Sequence, residues 1–341
     1  MNDNNYLEPY GFLYKEAAHQ AIASQIALPF GTNEIAFTFV KVIQEGIQSP
    51  LIPVTKLDKT QQIIAKKLSR PLPLAGLPAG SQVMGILNIT PDSFSNGGEH
   101  FHIEHAVRAG HQMVADGAAI LDIGGESTRP GSQEVSVEEE CARVIPVIKA
   151  LKGCGALLSI DTRHTDTMRQ ALDAGIDMIN DISALTDKNS AALIAEAGCP
   201  VILMHMRGNP QTMMQFASYK NIVLEVLQEL EQRIQIATQS GIARENIIVD
   251  PGIGFAKDTK DNITLIQHLP AFANLGCRLL LGVSRKRFIQ TISQVSSSKA
   301  CDPGTIAASL PASILGGSVI RVHNVPAMRQ ALCLWEALKA F

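Results

Sequence analysis

Apolar runs of strand length alternate with segments of helical periodicity from residue 81 to the end of the chain. The candidate strands are Val83–Leu87, Ile120–Ile123, Leu157–Ile160, Met178–Ile179, Val201–Met204, Ile247–Val249, Leu279–Val283 and Val319–Ile320. Between them lie segments whose apolar residues recur at helical spacing, such as Val137–Leu151, Thr165–Ala174 and Asn221–Gln239. Eight such repeats within about 260 residues predict an α/β fold, a single (β/α)8 TIM barrel of parallel strands.

The first 80 residues follow a different pattern. A helix is predicted over about 16–26 and a short basic helix over Thr60–Arg70, whereas Ala36–Ile43 fits either a strand or the start of a helix. The prolines and glycines of 71–80, PLPLAGLPAG, indicate a linker that ends the second helix. We therefore divide the chain into an N-terminal extension, residues 1–80, whose fold the pattern leaves open, and a barrel, residues 81–341. We expect the extension to pack on the barrel as a structural appendage.

Composition and charge narrow the class of protein. Of the 341 residues, 46% are hydrophobic and 18% charged, and the formal net charge is −3, which gives no sign of a nucleic-acid or membrane surface. The polar N-terminus lacks the pattern of a signal peptide, and no apolar run reaches about 18 residues, so we expect a cytoplasmic protein. The six cysteines are scattered without a C-x-x-C pair, which favours free thiols over disulfides or a zinc site.

A polar residue stands at or near the end of each of the eight candidate strands. In chain order these are Asn88, Asp122, Asp161, Asn180 with Asp181, His205, Asp250, Ser284–Arg285–Lys286, and Arg321 with His323. A single residue of this kind is readily explained as a cap for the following helix. Barrel strands, however, are buried on both faces and their carboxyl ends meet at one mouth. A polar residue at every strand end therefore predicts a polar pocket at that mouth.

Two of these strands run into long polar loops. The first is MGILNITPDSFSNGG at 84–98, and the second is GGESTRPG at 124–131. An ordinary strand-to-helix connection is the alternative interpretation of the first loop taken alone. The recurrence of polar strand ends along the rest of the chain favours the catalytic face of a barrel.

The acidic and amide residues of the predicted pocket indicate one part of its ligand. A carboxylate accepts two parallel N–H bonds from a planar amidine-like edge, as it does from arginine. Three acids and one amide therefore favour a ring rich in N–H donors, such as a pterin or a purine. These residues are Asp122, Asp161, Asp250 and Asn180.

The basic residues indicate a second part of the ligand. Lysine, arginine and histidine side chains suit an anionic group such as a phosphate, and those near the mouth are Lys286, Arg321, His323 and Arg129. Neither a P-loop nor a G-x-G-x-x-G motif is present, so nucleoside triphosphate or dinucleotide chemistry has no support. We interpret His205, between two methionines, as a satisfied core or rim histidine in preference to a ligand contact.

Eight stretches taken together resemble one family, the dihydropteroate synthases of folate biosynthesis. They are MGILNITPDSFSNGG, LDIGGESTRPG, SIDT at 159–162, INDI at 179–182, LMHMRGNPQTM at 203–213, DPGIGFAK at 250–257, GVSRKRFI at 282–289 and IRVHNV at 320–325. They occur in the family's order and cover essentially all of 81–341. The resemblance says nothing firm about residues 1–80.

The resemblance implies a transferase that condenses 6-hydroxymethyl-7,8-dihydropterin pyrophosphate with p-aminobenzoate, giving 7,8-dihydropteroate and pyrophosphate. It further implies Mg²⁺ as cofactor and a homodimer, with no nucleic-acid or membrane partner. By this resemblance, the pterin is bound by Asp161, Asn180, Asp250 and Lys286, and Asn88 is linked to magnesium. Arg321 and His323 face the pyrophosphate, whereas Thr128, Arg129 and Ser284 complete the p-aminobenzoate side. Phe255 and Val322 are further substrate contacts. Asp161, Lys286 and Arg321 are the implied catalytic residues. Magnesium and Arg321 would stabilise the leaving pyrophosphate, ionised Asp161 a cationic pterin methylene, and the aniline nitrogen would then attack without a covalent enzyme intermediate.

The sequence departs from the family's usual pattern at four places. Asn324 stands where aspartate is common after the histidine, Ala256 replaces a usual glycine, Arg163–His164 replaces Ser–Lys, and Asn96 replaces a frequent aspartate. None of these changes removes a named binding group, although Ala256 is expected to restrict its loop.

Two other functions share part of the pattern. A pterin-binding methyltransferase has a similar barrel but needs neither the STRPG loop nor a pyrophosphate site, so Arg129, Lys286 and Arg321 count against it. A non-catalytic pterin-binding protein is disfavoured because both reactant sides of the predicted site are intact.

Overall fold

Eight parallel strands form a closed barrel in a computed structural model that describes residues 5–89, 99–127, 135–187 and 189–339, without the side chains of 47, 48 and 99–102. The strands are β6 (Gln82–Asn88), β7 (Ile120–Gly124), β8 (Leu157–Asp161), β9 (Met178–Asp181), β10 (Val201–Met204), β11 (Ile247–Asp250), β12 (Arg278–Leu281) and β13 (Val319–Val322). Pairing of β13 with β6 closes the ring. The predicted TIM barrel is confirmed. The end predicted for one strand, Val283, is wrong. Strand β12 stops at Leu281, because the chain then enters a turn in which the Val283 carbonyl accepts from the Lys286 N–H.

Helices follow the strands around the barrel. They are α3 (Glu99–Ala115), α4 (Val137–Leu151), α5 (Thr165–Ala174), α6 (Ser190–Ala197), α7 (Ile222–Gln239), α8 (Thr259–Gln267), α9 (Arg287–Ser293), α10 (Asp302–Ser309) and α11 (Val325–Leu338). The predicted bounds of α4 and α5 are confirmed. The helix predicted from Asn221 begins one residue later, because the Asn221 side chain caps it by accepting from the Leu224 N–H. Within the described residues, no helix has the length and apolar content needed to cross a bilayer. All six cysteines are free, as predicted.

The N-terminal extension forms a five-stranded antiparallel sheet with two helices. Its elements are β1 (Tyr6–Tyr14), α1 (Lys15–Ala23), β2 (Leu28–Phe30), β3 (Thr32–Gln44), β4 (Ile47–Gln48), β5 (Ile52–Pro53) and α2 (Lys59–Leu68). The long strand β3 contains Ala36–Ile43, so the strand interpretation of that segment is confirmed. The first strand was not predicted, because Pro9 and Gly11 interrupt its alternation of polar and apolar residues.

Strand β1 is an edge strand, and the barrel covers it. The Asn274 amide takes the place of a neighbouring strand: its Oδ1 accepts from the Leu7 N–H at 3.2 Å, and its Nδ2 donates to the Leu7 carbonyl at 2.8 Å. Glu8 is buried against His268, with a carboxylate oxygen 2.8 Å from Nδ1. Leu7 and Phe37 are fully buried in the same apolar cluster as the barrel's helices. The extension is thus part of one continuous core with the barrel wall.

The linker closes the amino end of the barrel. Ala75 and Leu77 pack against the inward-facing residues near the strand starts, which are Met84, Ile120, Met178, Ile202, Ile248, Leu280 and Val319. Arg278, the first residue of β12, is 1% exposed. Its guanidinium donates to the carbonyls of Leu74, Pro78 and Gly80 at 2.7–3.1 Å. The chain between extension and barrel is therefore a fixed plug.

Replacing Arg278 by alanine should cost about 3–5 kcal/mol of unfolding free energy, because three linker carbonyls lose their donor and the space of a buried side chain opens beneath the barrel. Urea unfolding measures this cost. Arg108→Ala is the control, since that arginine pairs with Glu104 on an exposed helix face and should change stability by less than about 0.5 kcal/mol. Equal stability of the two variants would contradict the plug.

A chain that begins at Ser81 should lose solubility and thermal stability more than it loses turnover per folded molecule. The reason is that it leaves the apolar surface beneath Leu7 and Phe37, as well as the barrel end beneath Leu77, open to water. A chain that begins at Pro71 retains the plug and should have the higher melting temperature of the two. A stable but inactive Ser81 variant would show instead that the extension contributes to the active site.

Candidate active site

A cavity of about 770 Å³ opens at the carboxyl ends of the barrel strands. The predicted site residues that line it are Asn88, Asp161, Phe255, Ser284, Lys286, Arg321 and His323. Asn180, Asp250 and Val322 lie buried at the ends of their strands β9, β11 and β13. Thr128 and Arg129 lie outside the described residues. The polar pocket that the sequence predicts at this end of the barrel is therefore present.

Arg321 ties two acids of the pocket together. Its Nε donates to Asp122 Oδ2 at 2.6 Å, and its Nη2 donates to Asp161 Oδ2 at 2.6 Å. Asn180 Nδ2 donates to the same Asp122 oxygen at 3.0 Å. The second oxygen of each carboxylate, Asp122 Oδ1 and Asp161 Oδ1, is buried without a hydrogen-bond partner. Buried polar atoms without partners are rare, and Asp161 lines the cavity, so its open acceptor favours a ligand that donates a hydrogen bond.

Burial dominates the electrostatics of this cluster. It raises the pKa of Asp161, and the Arg321 guanidinium opposes that rise. Burial also raises the pKa of Asp250, against the Gly252 N–H bond and the Lys286 charge. For Arg321, loss of solvent lowers the pKa, but Asp122 and Asp161 more than compensate, so the guanidinium stays charged. Arg321 is thus a fixed cation beside Asp161 and Asp250, and burial makes these two acids costly to ionise without a further hydrogen-bond donor.

The loop after β11 brings its backbone close to the pocket. Asp250 Oδ1 accepts from the Gly252 N–H at 2.7 Å. Gly252 has a φ of +68°, and a Cβ there would lie 1.9 Å from the His205 carbonyl oxygen, so no larger residue fits. The Lys286 ammonium lies 4.1 Å from the centre of the Phe255 ring. A Cβ on Gly254 would lie 3.0 Å from Lys286 Cδ. The DPGIGFAK motif thus places the ring of Phe255 and the backbone of Gly254 beside Lys286, near the acid Asp250.

Ser284 and His323 form the opposite side of the mouth. Ser284 Oγ lies 2.8 Å from His323 Nδ1 and accepts from the His323 N–H at 3.2 Å. Behind them, Arg285 binds both oxygens of Asp302 at 2.7 and 3.0 Å. Asn324 donates its Nδ2 to Asp302 Oδ2 at 2.9 Å and caps α11. An amide at position 324 therefore serves as a donor to Asp302, which an aspartate would repel.

A buried lysine was missed by the sequence analysis. Lys257 is 3% exposed, and its Nζ lies 2.9 Å from His205 Nδ1 and donates to the Phe255 carbonyl at 2.9 Å. Burial lowers the pKa of Lys257 to about 7. His205 Nε2 in turn lies 2.9 Å from a Glu229 carboxylate oxygen, which agrees with the interpretation of His205 as a satisfied histidine. A lysine that follows a strand-end motif is normally assigned to the surface, and its only sequence signal is its place in DPGIGFAK.

Arg163, another departure from the family pattern, also has a hydrogen-bond partner. Its guanidinium donates to the Glu126 carboxylate at 3.2 and 3.3 Å, and Glu126 Oε1 accepts from the Val135 N–H at 3.3 Å. Glu126 lines the cavity, and its bonds connect Arg163, two residues after strand β8, with both described ends of the loop that carries Thr128 and Arg129.

Comparison with known proteins places these features in one family. The family described as pterin binding enzyme matches residues 84–323. A dihydropteroate synthase of Synechocystis sp. is 46% identical over 258 residues, which are 75% of this chain and 89% of that protein. Among solved structures, the Xanthomonas albilineans dihydropteroate synthase with 4-aminobenzoic acid has a TM-score of 0.73 at 43% identity and covers 77% of this chain and 94% of its own. The same protein with 7,8-dihydropteroate has a TM-score of 0.70 at 41% identity, covering 77% and 95%.

His205 should make the fold acid-sensitive. Burial, followed by the nearby Lys257 charge, lowers the pKa of His205 to about 4 from 6.5, so between these values the unfolded chain binds the extra proton. The free energy of unfolding therefore falls as the pH drops from 6.5 to about 4. His205→Gln should remove about 3 kcal/mol of that fall, measured by urea unfolding at both pH values. His111→Gln, at an exposed position, is the control, and an unchanged slope in His205→Gln would contradict the assignment.

Proposed function

The chain belongs to the dihydropteroate synthase family, and we propose that the cavity at the carboxyl end of its barrel is where it joins a dihydropterin pyrophosphate to p-aminobenzoate. The activity is that of a transferase. A C–N bond forms between the aniline nitrogen and the pterin methylene carbon, the C–O bond to pyrophosphate breaks, and the nitrogen loses a proton. The observation that carries the placement is the Asp122–Arg321–Asp161 cluster with its two unpartnered carboxylate oxygens.

In this proposal the pterin ring lies against the acidic residues at the strand ends. A pterin edge presents parallel N–H groups, which suit carboxylate oxygens that are buried and lack donors. Asp161 Oδ1 is such an acceptor at the cavity wall. Asp250 and Asn180 contact the ring at the ends of β11 and β9, and Lys286 donates to its carbonyl side. Binding then supplies the hydrogen bonds whose absence makes these acids costly to ionise.

Arg321 has two tasks in the proposed reaction. Its bonds fix the positions of Asp122 and Asp161, and its charge opposes the burial that raises the pKa of Asp161, which favours an ionised carboxylate beside the pterin methylene, where positive charge develops as the C–O bond breaks. Its remaining N–H groups face the leaving pyrophosphate together with His323. Thr128, Arg129 and Ser284 complete the side that receives p-aminobenzoate, with Phe255 and Val322 as further contacts. No side chain needs to act as a covalent nucleophile.

Magnesium fits this site through Asn88. A Cβ on Gly124 would lie 3.6 Å from Asn88 Oδ1 and 3.6 Å from Asp161 Cβ, so the amide oxygen lies close to the reacting end of the pocket. Among the described residues no group of three or more acidic, histidine or cysteine side chains is arranged so that it could hold a metal ion. A single amide oxygen nevertheless suits Mg²⁺, which keeps several waters and takes oxygens from a substrate phosphate. When bound, the ion would offset charge on the departing pyrophosphate.

The methyltransferase alternative is not carried forward, because the relatives compared above are dihydropteroate synthases. Two structures of the Xanthomonas albilineans enzyme hold 4-aminobenzoic acid and 7,8-dihydropteroate, which supports the same small molecules as substrate and product here. We also propose a homodimer from the family resemblance, which sedimentation velocity of the full chain would test.

The proposed activity is tested by incubating the protein with the pterin pyrophosphate and p-aminobenzoate and measuring pyrophosphate release. Asp250→Asn and Lys286→Ala should each weaken pterin binding by about 2–5 kcal/mol, because each removes a charged hydrogen bond in a desolvated pocket. Calorimetry measures that loss. Lys149→Ala, on the exposed face of α4, is the matched control. Unchanged pterin affinity in both site variants would remove them from the pterin site.

Asn88→Ala should raise the magnesium concentration for half-maximal turnover by at least about 10-fold, because the ion loses its protein oxygen. Asn88→Asp should restore or lower that concentration. Titration of pyrophosphate release with MgCl₂ after chelation provides the measurement. A half-maximal concentration that is the same in the wild type and in Asn88→Ala would place the ion elsewhere.

A further inference from the structure

The backbone at Ala256 has an unusual conformation next to the pocket. Its φ is +49°, in the left-handed region that alanine rarely adopts. An L-residue there pays a steric cost between its Cβ and the backbone, which glycine does not. Ala256 is fully buried, and its neighbour Phe255 lines the cavity. Something in the surroundings must therefore hold this turn in place.

Two side chains hold the carbonyl groups on either side of Ala256. Lys257 Nζ donates to the Phe255 carbonyl at 2.9 Å. The Tyr219 hydroxyl donates to the Ala256 carbonyl at 2.9 Å. Both peptide planes that meet in the left-handed turn are thus fixed by buried or half-buried donors, so the turn cannot rotate without breaking one of them.

Both donors are anchored on helix α7. Lys257 reaches it through His205, whose Nε2 lies 2.9 Å from Glu229. The Tyr219 ring lies under the Arg207 guanidinium at 4.1 Å, and Arg207 binds Glu225 at 2.8 Å as well as Glu229. Glu225 and Glu229 are one helical turn apart on α7, so a rigid element supports both bonds.

The left-handed turn at Ala256 positions a residue of the proposed site, Lys286. The Phe255 ring supports the Lys286 ammonium at 4.1 Å, and Gly254 lies against the Lys286 methylene chain. We propose that Tyr219 and Lys257 are positioning residues that hold the left-handed turn at Ala256 and, through Phe255, set the place of the Lys286 ammonium. This inference rests on the proposed function, in which Lys286 binds the pterin.

The role of alanine at position 256 makes the proposal testable. With alanine, loss of one bond lets the strained turn relax and Phe255 move. With glycine, the left-handed conformation is accessible without support, so the same loss matters less. The test therefore compares Tyr219→Phe, Ala256→Gly and the double variant. Tyr219→Phe removes only the donating hydroxyl and keeps the ring beneath Arg207.

In the first readout, calorimetry measures the Kd of the full-length protein for the dihydropterin pyrophosphate, and kinetics give its KM and kcat. Tyr219→Phe should raise Kd and KM roughly 3- to 10-fold, the effect of one hydrogen bond, with a smaller change in kcat. The double variant should stay within about twofold of Ala256→Gly. Tyr6→Phe is the control, because that hydroxyl, on strand β1 of the extension, donates to Glu231 of α7 and not to a carbonyl of the turn, so Kd should stay unchanged.

A Kd that is unchanged in Tyr219→Phe, or raised equally in the alanine and glycine backgrounds, would overturn the positioning role while leaving the synthase activity in place. Failure of the proposed function is separate, since it appears as a wild-type protein that neither binds the pterin nor releases pyrophosphate. Hydrogen exchange of peptides covering 252–257 needs no ligand. It should be faster in Tyr219→Phe than in Tyr6→Phe, and equal rates would overturn the inference on their own.

Discussion

The double ion pair of Arg321, whose side chain is 19% exposed at the cavity, is the interaction on which the active end of this barrel depends. Arg321 comes from β13, while its partners Asp122 and Asp161 come from β7 and β8, so the cluster reaches across strand β6, which lies between them. A buried ion pair repays its desolvation only with good geometry and further hydrogen bonds. Here two carboxylate oxygens are left without a donor. The protein thus accepts an incompletely satisfied cluster, which a pterin edge completes in the function proposed above, and the closed barrel keeps the three side chains in place.

The amino end of the barrel contributes to stability, whereas the carboxyl end carries the candidate site. At the amino end, Arg278 satisfies three linker carbonyls and Leu77 fills the space inside the strands. At the carboxyl end, acceptors remain without donors, and Gly254 leaves the space in which a Cβ would lie 3.0 Å from Lys286 Cδ. A site that keeps such costs must draw its stability from elsewhere in the molecule. The extension contributes there, because its strand β1 is completed by the Asn274 side chain and its apolar residues extend the core.

Most of the fold followed from the sequence, because period and position along a strand are local properties. The eight strand ends predicted the mouth, since parallel strands deliver their carboxyl ends to one side. What stayed hidden depends on register between distant strands: nothing near Arg321 in sequence indicates that its bonds go to Asp122 and Asp161. Strand β1 stayed hidden because Pro9 and Gly11 interrupt its alternation, and its pairing with β3 lies outside that local pattern. Lys257 stayed hidden because its burial depends on His205 and Glu229, which lie on other elements.

The departures from the family pattern show how such a site tolerates change. Asn324 shares Asp302 with Arg285, and Arg163 holds Glu126, so each new side chain has a polar partner within hydrogen-bond distance. Ala256 is different, because its cost is in the backbone and no side chain of its own can offset it. That cost can be met only by neighbours that fix the adjacent carbonyls. The donors that do so are held by helix α7, which lies outside the strand-end cluster. The strand-end residues proposed to bind the pterin can therefore stay unchanged while Tyr219 and Lys257 support the alanine.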